Sequence, residues 1–84
     1  MYCTYVLQSK KDQKLYVGYT EDLKVRFEEH GNGYVSSTKD RRPLKIVYYE
    51  VCHNKRDAIK REQYLKTAYG KRYLKNRLKS YFMG

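Results

Sequence analysis

Apolar and aromatic residues in this chain fall in short blocks, and the spacing inside the blocks changes along the sequence. Tyr2-Cys3-Thr4-Tyr5-Val6-Leu7-Gln8 is aromatic and β-branched, which predicts a strand over residues 2–8. Ser9 to Lys14 is a polar connection, and Leu15 to Tyr19 predicts a second strand. The connection is short enough for a hairpin, so Tyr5 and Tyr16 fall on neighbouring strands. Their side chains meet only if the register puts both on one face, a condition that the local sequence does not fix.

After the second strand the period becomes helical. Thr20 is a suitable N-cap, with Glu21 and Asp22 in the first turn where the helix dipole favours anions. The helix runs to about His30 and is stopped by Gly31-Asn32-Gly33. Leu23 and Phe27 share one of its faces; Arg26 and His30 share an adjacent one. Residues 34–43 read as a polar, basic loop closed by Pro43, and Leu44 to Cys52 as a third, largely apolar strand. Asn54 caps the next helix, with Asp57 placed to complete a capping box. Ala58, Leu65 and Tyr69 form its apolar stripe, Glu62 interrupts that stripe, and Gly70 ends the helix. Lys71 to Phe82 reads as a final basic helix. The order β-β-α-β-α-α predicts an α+β fold, a three-stranded antiparallel sheet flanked by helices, as one domain over residues 1–84.

Composition then narrows the partner. The 84 residues carry 19 basic and 9 acidic side chains, a net charge of +10, which suits a polyanion. Eleven tyrosines accompany the charge; tyrosine can stack on bases or bond phosphates, although several must build the core. No stretch approaches the ~20 apolar residues of a membrane span, and no secretory leader follows Met1. Cys3 and Cys52 lack metal-ligand spacing and read as small hydrophobes in strands. A cytoplasmic protein without membrane contact is the expectation.

Two short motifs give the chemistry: Cys3-Thr4-Tyr5 and, eleven residues after Tyr5, Tyr16-Val17-Gly18. Hydrolysis of a phosphodiester needs an attacking water that loses its proton, charge neutralisation at phosphate, and help for the leaving oxygen. Arg26 suits phosphate because its planar fork binds two oxygens and stays charged. His30 can bond phosphate when protonated or relay a proton when neutral. Glu62 would be drawn inward by its apolar neighbours, so its carboxylate needs a metal or a cation. Lys66, one turn on, is the competing partner, as a plain salt bridge.

Together these residues resemble the GIY-YIG nucleases, specifically small stand-alone members related to the amino-terminal nuclease domain of the bacterial excision-repair incision subunit. The likeness runs from Tyr2 to about Lys79. It rests on Cys3-Thr4-Tyr5, on Tyr16-Val17-Gly18 followed by Thr20, on Asp22-Leu23 with Arg26 and His30, and on Ala58 with Arg61-Glu62 and Lys66. The resemblance implies a divalent-metal-dependent DNA endonuclease of weak sequence specificity. Tyr5 and Tyr16 would flank the scissile phosphate, Arg26 would clamp it, and His30 would assist. Glu62 would bind a single Mg²⁺ or Mn²⁺, while Gly18 and Thr20 would shape the motif. Lys39, Arg41, Arg42, Lys66, Lys71, Arg72 and Lys75 would grip the DNA, with RNA as an alternative substrate. A monomer, with a recruiting protein as an optional partner, completes the expectation. A catalytically dormant nucleic-acid-binding module is the competing reading. Cys3 and Thr4 replace the Gly-Ile of the first motif, and Gly31 stands where many relatives have asparagine.

Overall fold

In the computed structural model, which describes all 84 residues, three strands form one antiparallel sheet in the order β2-β1-β3. They are β1 (Tyr2–Ser9), β2 (Leu15–Thr20) and β3 (Leu44–Cys52). The helices are α1 (Leu23–Gly31), α2 (Lys55–Leu65), α3 (Ala68–Arg77) and the short α4 (Lys79–Met83). This is the expected α+β order, with one helix more at the carboxyl end.

Strand β1 is central and covered on both faces, which explains its unbroken run of buried residues from Cys3 to Ser9. One face packs Cys3, Tyr5 and Leu7 with Leu44 against Leu23 and Phe27 of α1. The other packs Val6 and Val17 against Leu65 of α2 and Leu74 of α3. Each fully buried leucine of this kind contributes about 1.5–3 kcal/mol. A register shift lies between Val6, which pairs with Tyr48, and Leu7, which pairs with Ile46. Val47 is the extra residue, and both it and Tyr48 pack on the α2–α3 side.

The β1–β2 connection closes as expected of a hairpin. Ser9 Oγ accepts from the backbone N–H of Lys11 and Asp12, and Asp12 Oδ1 accepts from that of Lys14. Both cysteines are free thiols, Cys3 buried and Cys52 partly so. No helix is long and apolar enough to cross a membrane.

Four local expectations are corrected. Asp22, not Thr20, caps α1, its carboxylate accepting from Val25 N; Thr20 instead closes the preceding turn on the Asp22 backbone. Glu21 therefore stays outside the helix, near Lys55 at 3.9 Å. Asn54 caps α2 by accepting from Arg56 N, with no reciprocal bond from Asp57. Helix α2 ends at Leu65 because Thr67 intervenes: its hydroxyl donates to Tyr64 O and accepts from Gly70 N, ending one helix and capping the next. Tyr69 consequently lies in α3 and is 69% exposed, off the apolar stripe. Gly70 is a contact point and not a stop. A Cβ there would sit 2.1 Å from Tyr64 O and 2.4 Å from Leu65 Cα, so only glycine lets α3 rest on the last turn of α2. The basic carboxyl-terminal segment is two helices, broken at Leu78 (φ −107°, ψ 23°).

Candidate active site

The register places both motif tyrosines on the α1 side. Tyr5 pairs with Gly18 and Leu7 with Tyr16, so Tyr16 is the diagonal neighbour of Tyr5 on the same face. Their ring centroids are 6.4 Å apart. Gly18 has a specific task here: a Cβ would come within 2.4 Å of the Tyr5 hydroxyl and ring. The phenol lies across the space that a side chain on β2 would fill.

Helix α1 brings His30 into the same cluster. The imidazole is wholly buried, with centroids 5.7 Å from Tyr5 and 5.2 Å from Tyr16, both edge-on. Its Nε2 is 2.8 Å from the Tyr5 hydroxyl and its Nδ1 is 2.7 Å from Thr38 Oγ1. Thr38 Oγ1 is also placed to donate to Val35 O at 3.5 Å. With Tyr5 donating to Nε2, the His30 proton sits on Nδ1 and donates to Thr38, the tautomer that leaves the Thr38 hydroxyl free to turn toward Val35 O. Burial, then the charge of Arg26, holds the His30 pKa below its ordinary value, so the ring is neutral at neutral pH.

Burial pushes the Tyr5 pKa up, the Arg26 guanidinium beside it pulls down, and Tyr16 and Glu62 add to the rise; the result is about 12. Tyr5 is therefore a proton donor in the resting protein, with roughly 10⁻⁵ of it ionised at pH 7. Tyr16 is only half-buried. Arg26 also forms an ion pair with Glu29 at 3.2 Å, a partly exposed contact on its own helix.

Glu62 approaches from α2. Its side chain is 19% exposed and ion-pairs with the more exposed Lys66 at 3.0 Å. Its negative charge is among those raising the Tyr5 pKa, so the carboxylate shares the electrostatic neighbourhood of the phenol. The fold thus brings Tyr5, Tyr16, Arg26 and His30 into one cluster and sets Glu62 close enough for its charge to be felt there. No three His, Cys, Asp or Glu side chains assemble anywhere. A metal at this site would have one protein carboxylate and draw its other ligands from phosphate and water, an arrangement that suits Mg²⁺.

The basic residues divide. Lys39 is exposed. Arg41 is half-buried, 3.8 Å from Asp12, and Arg42 bonds the backbone carbonyls of Lys39 and Gly31. Arg42 thus holds the loop together, whereas Arg41 points toward the β1–β2 hairpin with its buried Nε and Nη2 lacking a hydrogen-bond partner. Arg72 lies 5.6 Å from the Tyr69 ring centroid, and Lys71 and Lys75 project from α3.

Sequence reasoning missed two residues. Thr38 fixes the orientation and tautomer of His30; the available signal was that a buried histidine needs partners for both ring nitrogens. Arg61, grouped with Glu62 in the sequence, serves the scaffold. Its Nε donates to Glu50 Oε1 at 2.6 Å, Tyr48 donates to Glu50 Oε2 at 2.7 Å, and its guanidinium lies 4.5 Å from the Tyr73 ring centroid.

A small α+β domain thus gathers two strand tyrosines, a helix arginine and a histidine on one sheet face, with a glutamate on the following helix, residue types that phosphodiester chemistry can use. The chain belongs to the GIY-YIG nuclease superfamily: residues 1–79 match the GIY-YIG catalytic domain. Nucleases of this superfamily are generally dependent on a divalent metal. A UPF0213 protein of Clostridium perfringens is 44% identical over 63 residues, covering 74% of this chain and 67% of the relative. UPF0213 proteins of Staphylococcus saprophyticus (45% over 58 residues; 68% and 71% covered) and Staphylococcus aureus (44% over 57; 67% and 70%) are similarly close. No solved structure matches the chain.

Proposed function

We propose that the protein is a divalent-metal-dependent endonuclease that hydrolyses DNA phosphodiester bonds with weak sequence specificity, acting as a cytoplasmic monomer. The observation that carries this reading is the buried Tyr5–His30–Thr38 chain beside Arg26 and Tyr16. A phenol held near pKa 12 is a poor base by itself, but one already bonded to a neutral imidazole can pass its proton on as it receives another.

In the proposed step a water oxygen forms a bond to phosphorus as the bond to the leaving oxygen breaks. The water proton moves to Tyr5 Oη, whose own proton moves to His30 Nε2, and Thr38 receives the hydrogen bond of the resulting imidazolium. The leaving oxygen departs with the bonding pair and takes a proton from solvent water, and the imidazolium returns its proton to solvent after release. Arg26 neutralises a non-bridging phosphate oxygen, and Tyr16, half open to solvent, orients the water. A Mg²⁺ or Mn²⁺ ion held by Glu62 would supply charge neutralisation at the phosphate and the leaving oxygen. Lys66 must then release Glu62 and turn to the substrate. Contacts from Lys39, Lys66, Lys71, Arg72 and Lys75 go to phosphates, which fixes position and little sequence.

A second reading, a nucleic-acid-binding module that does not cleave, has one observation in its favour: Lys66 occupies the Glu62 carboxylate. Incubation with supercoiled plasmid and Mg²⁺ or Mn²⁺ separates the two. Nicking by the wild-type protein, lost with EDTA and in Glu62→Ala, is expected; equal nicking by the variant, or tight binding without cleavage under either metal, overturns the endonuclease reading.

A further inference from the structure

On the opposite side of β2 from α1, the β1–β2 hairpin and the carboxyl-terminal helices enclose a cleft of about 730 Å³. Lys14, Lys71, Lys75 and Lys79 line its rim, Leu15 and Phe82 lie within it, and no acidic residue lines it. Phe82 is held against Tyr81, at 5.3 Å between ring centroids, and the Tyr81 hydroxyl is tied to Gln8 of β1. Leu15 and Lys71 also line a smaller recess of about 280 Å³ that includes Tyr16 and Lys66. The two cavities adjoin at Leu15 and Lys71, and the smaller one reaches Tyr16 and the Lys66 that pairs with Glu62. Leu15 lies within the family-matched residues 1–79 and Phe82 lies beyond them.

Four ammonium groups around a cleft that no carboxylate lines call for an anion, and the apolar, aromatic surface between them calls for a flat ring. A duplex keeps its bases stacked inside and presents only phosphates to such a rim. An unpaired nucleotide satisfies both, its phosphates on the lysines and its base against Phe82. We infer that the cleft holds an unpaired nucleotide of the substrate strand, so that the preferred substrate carries a single-stranded segment next to the cut. The position of the cut rests on the endonuclease reading; the occupancy of the cleft does not.

Anisotropy of a labelled oligothymidylate and of a blunt duplex of equal length, measured with Glu62→Gln protein to suppress cleavage, tests this. The single strand is expected to bind more tightly. Lys75→Gln with Lys79→Gln lowers the slope of log K against log salt for the single strand by about 1.4, two released counterions at ~0.7 each. Phe82→Ala, which removes no charge, weakens the single strand by about tenfold more than the duplex. All three side chains are exposed, and unchanged melting temperatures establish that the variants fold. Equal affinity for the two probes, or equal loss on both in Phe82→Ala, overturns the inference. Wild-type protein that fails to nick plasmid while the variants lose single-strand binding sinks the endonuclease reading and leaves the cleft standing. Cleavage with unaltered single-strand binding in the variants does the reverse.

Discussion

Two clusters in this molecule use nearly the same residue types: an arginine, two tyrosines and a glutamate. In the first, Glu50 receives Arg61 and Tyr48, Tyr73 lies 3.2 Å from Tyr48, and Arg61 stacks on Tyr73. Every charged group there is answered by a partner on a different element, so the cluster pins β3 to α2 and α3. In the second, the only ion pairs are local ones, Arg26 with Glu29 and Glu62 with exposed Lys66, each within one turn of its own helix. The Arg26 guanidinium also reaches the neutral Tyr5 hydroxyl. Its phenols and imidazole are ordered while its charges keep replaceable partners. A satisfied polar network is scaffold, and one whose charges remain exchangeable can accept a substrate. The residue list does not separate them; the partners do.

Removing one carboxylate from each cluster tests that contrast most severely. Glu62→Gln should lower plasmid nicking by about 10²–10³-fold at an unchanged melting temperature. Glu50→Gln should leave nicking by the folded protein intact and cost about 1–3 kcal/mol in a denaturant titration, because Arg61 loses its anion. A result with the roles exchanged breaks the comparison.

Thr38→Val sharpens it next, since the same shape without the hydroxyl strands the Nδ1–H of His30. A loss of about 1–3 kcal/mol is expected from urea unfolding, with nicking reduced at every pH examined.

A smaller effect comes from pH. The folded His30 pKa lies below its ordinary 6.5, so the unfolded chain takes up a proton more readily than the folded one. The stability His30 contributes is full above about pH 6.5 and declines as the pH falls toward the lowered folded value. Thermal melts from about pH 7 to 5 should show this slope, and His30→Gln should lack it.

Glu29→Gln, at the exposed edge of the second cluster, should be the mildest change, under about 0.5 kcal/mol by thermal melt, with nicking maintained.

The strands were legible because aromatic and β-branched runs leave few alternatives, and the hairpin followed from the length of its polar link. The motif tyrosines, Arg26 and His30 were legible as types at given spacings. Their meeting was not, because it depends on Tyr5 pairing with Gly18 rather than with a neighbour one residue away. The α2–α3 boundary was hidden for a related reason. Thr67 caps a helix in the middle of an apolar period that continues through Tyr69, and only the close approach at Gly70 shows that the chain turns there. Thr38 was invisible because nothing local distinguishes it from Ser36 and Ser37; burial beside His30 sets it apart.

That backbone-on-backbone contact at Gly70 also couples two parts of the surface. With no side chain between them, the last turn of α2 and the first turn of α3 pack backbone on backbone, and this contact sets the offset of Glu62 from the α3 lysines. A strand laid along those lysines would meet the carboxylate at a set number of nucleotides from its point of entry. The helix junction would then act as a ruler, visible as a single dominant product length when cleavage of end-labelled substrates is mapped.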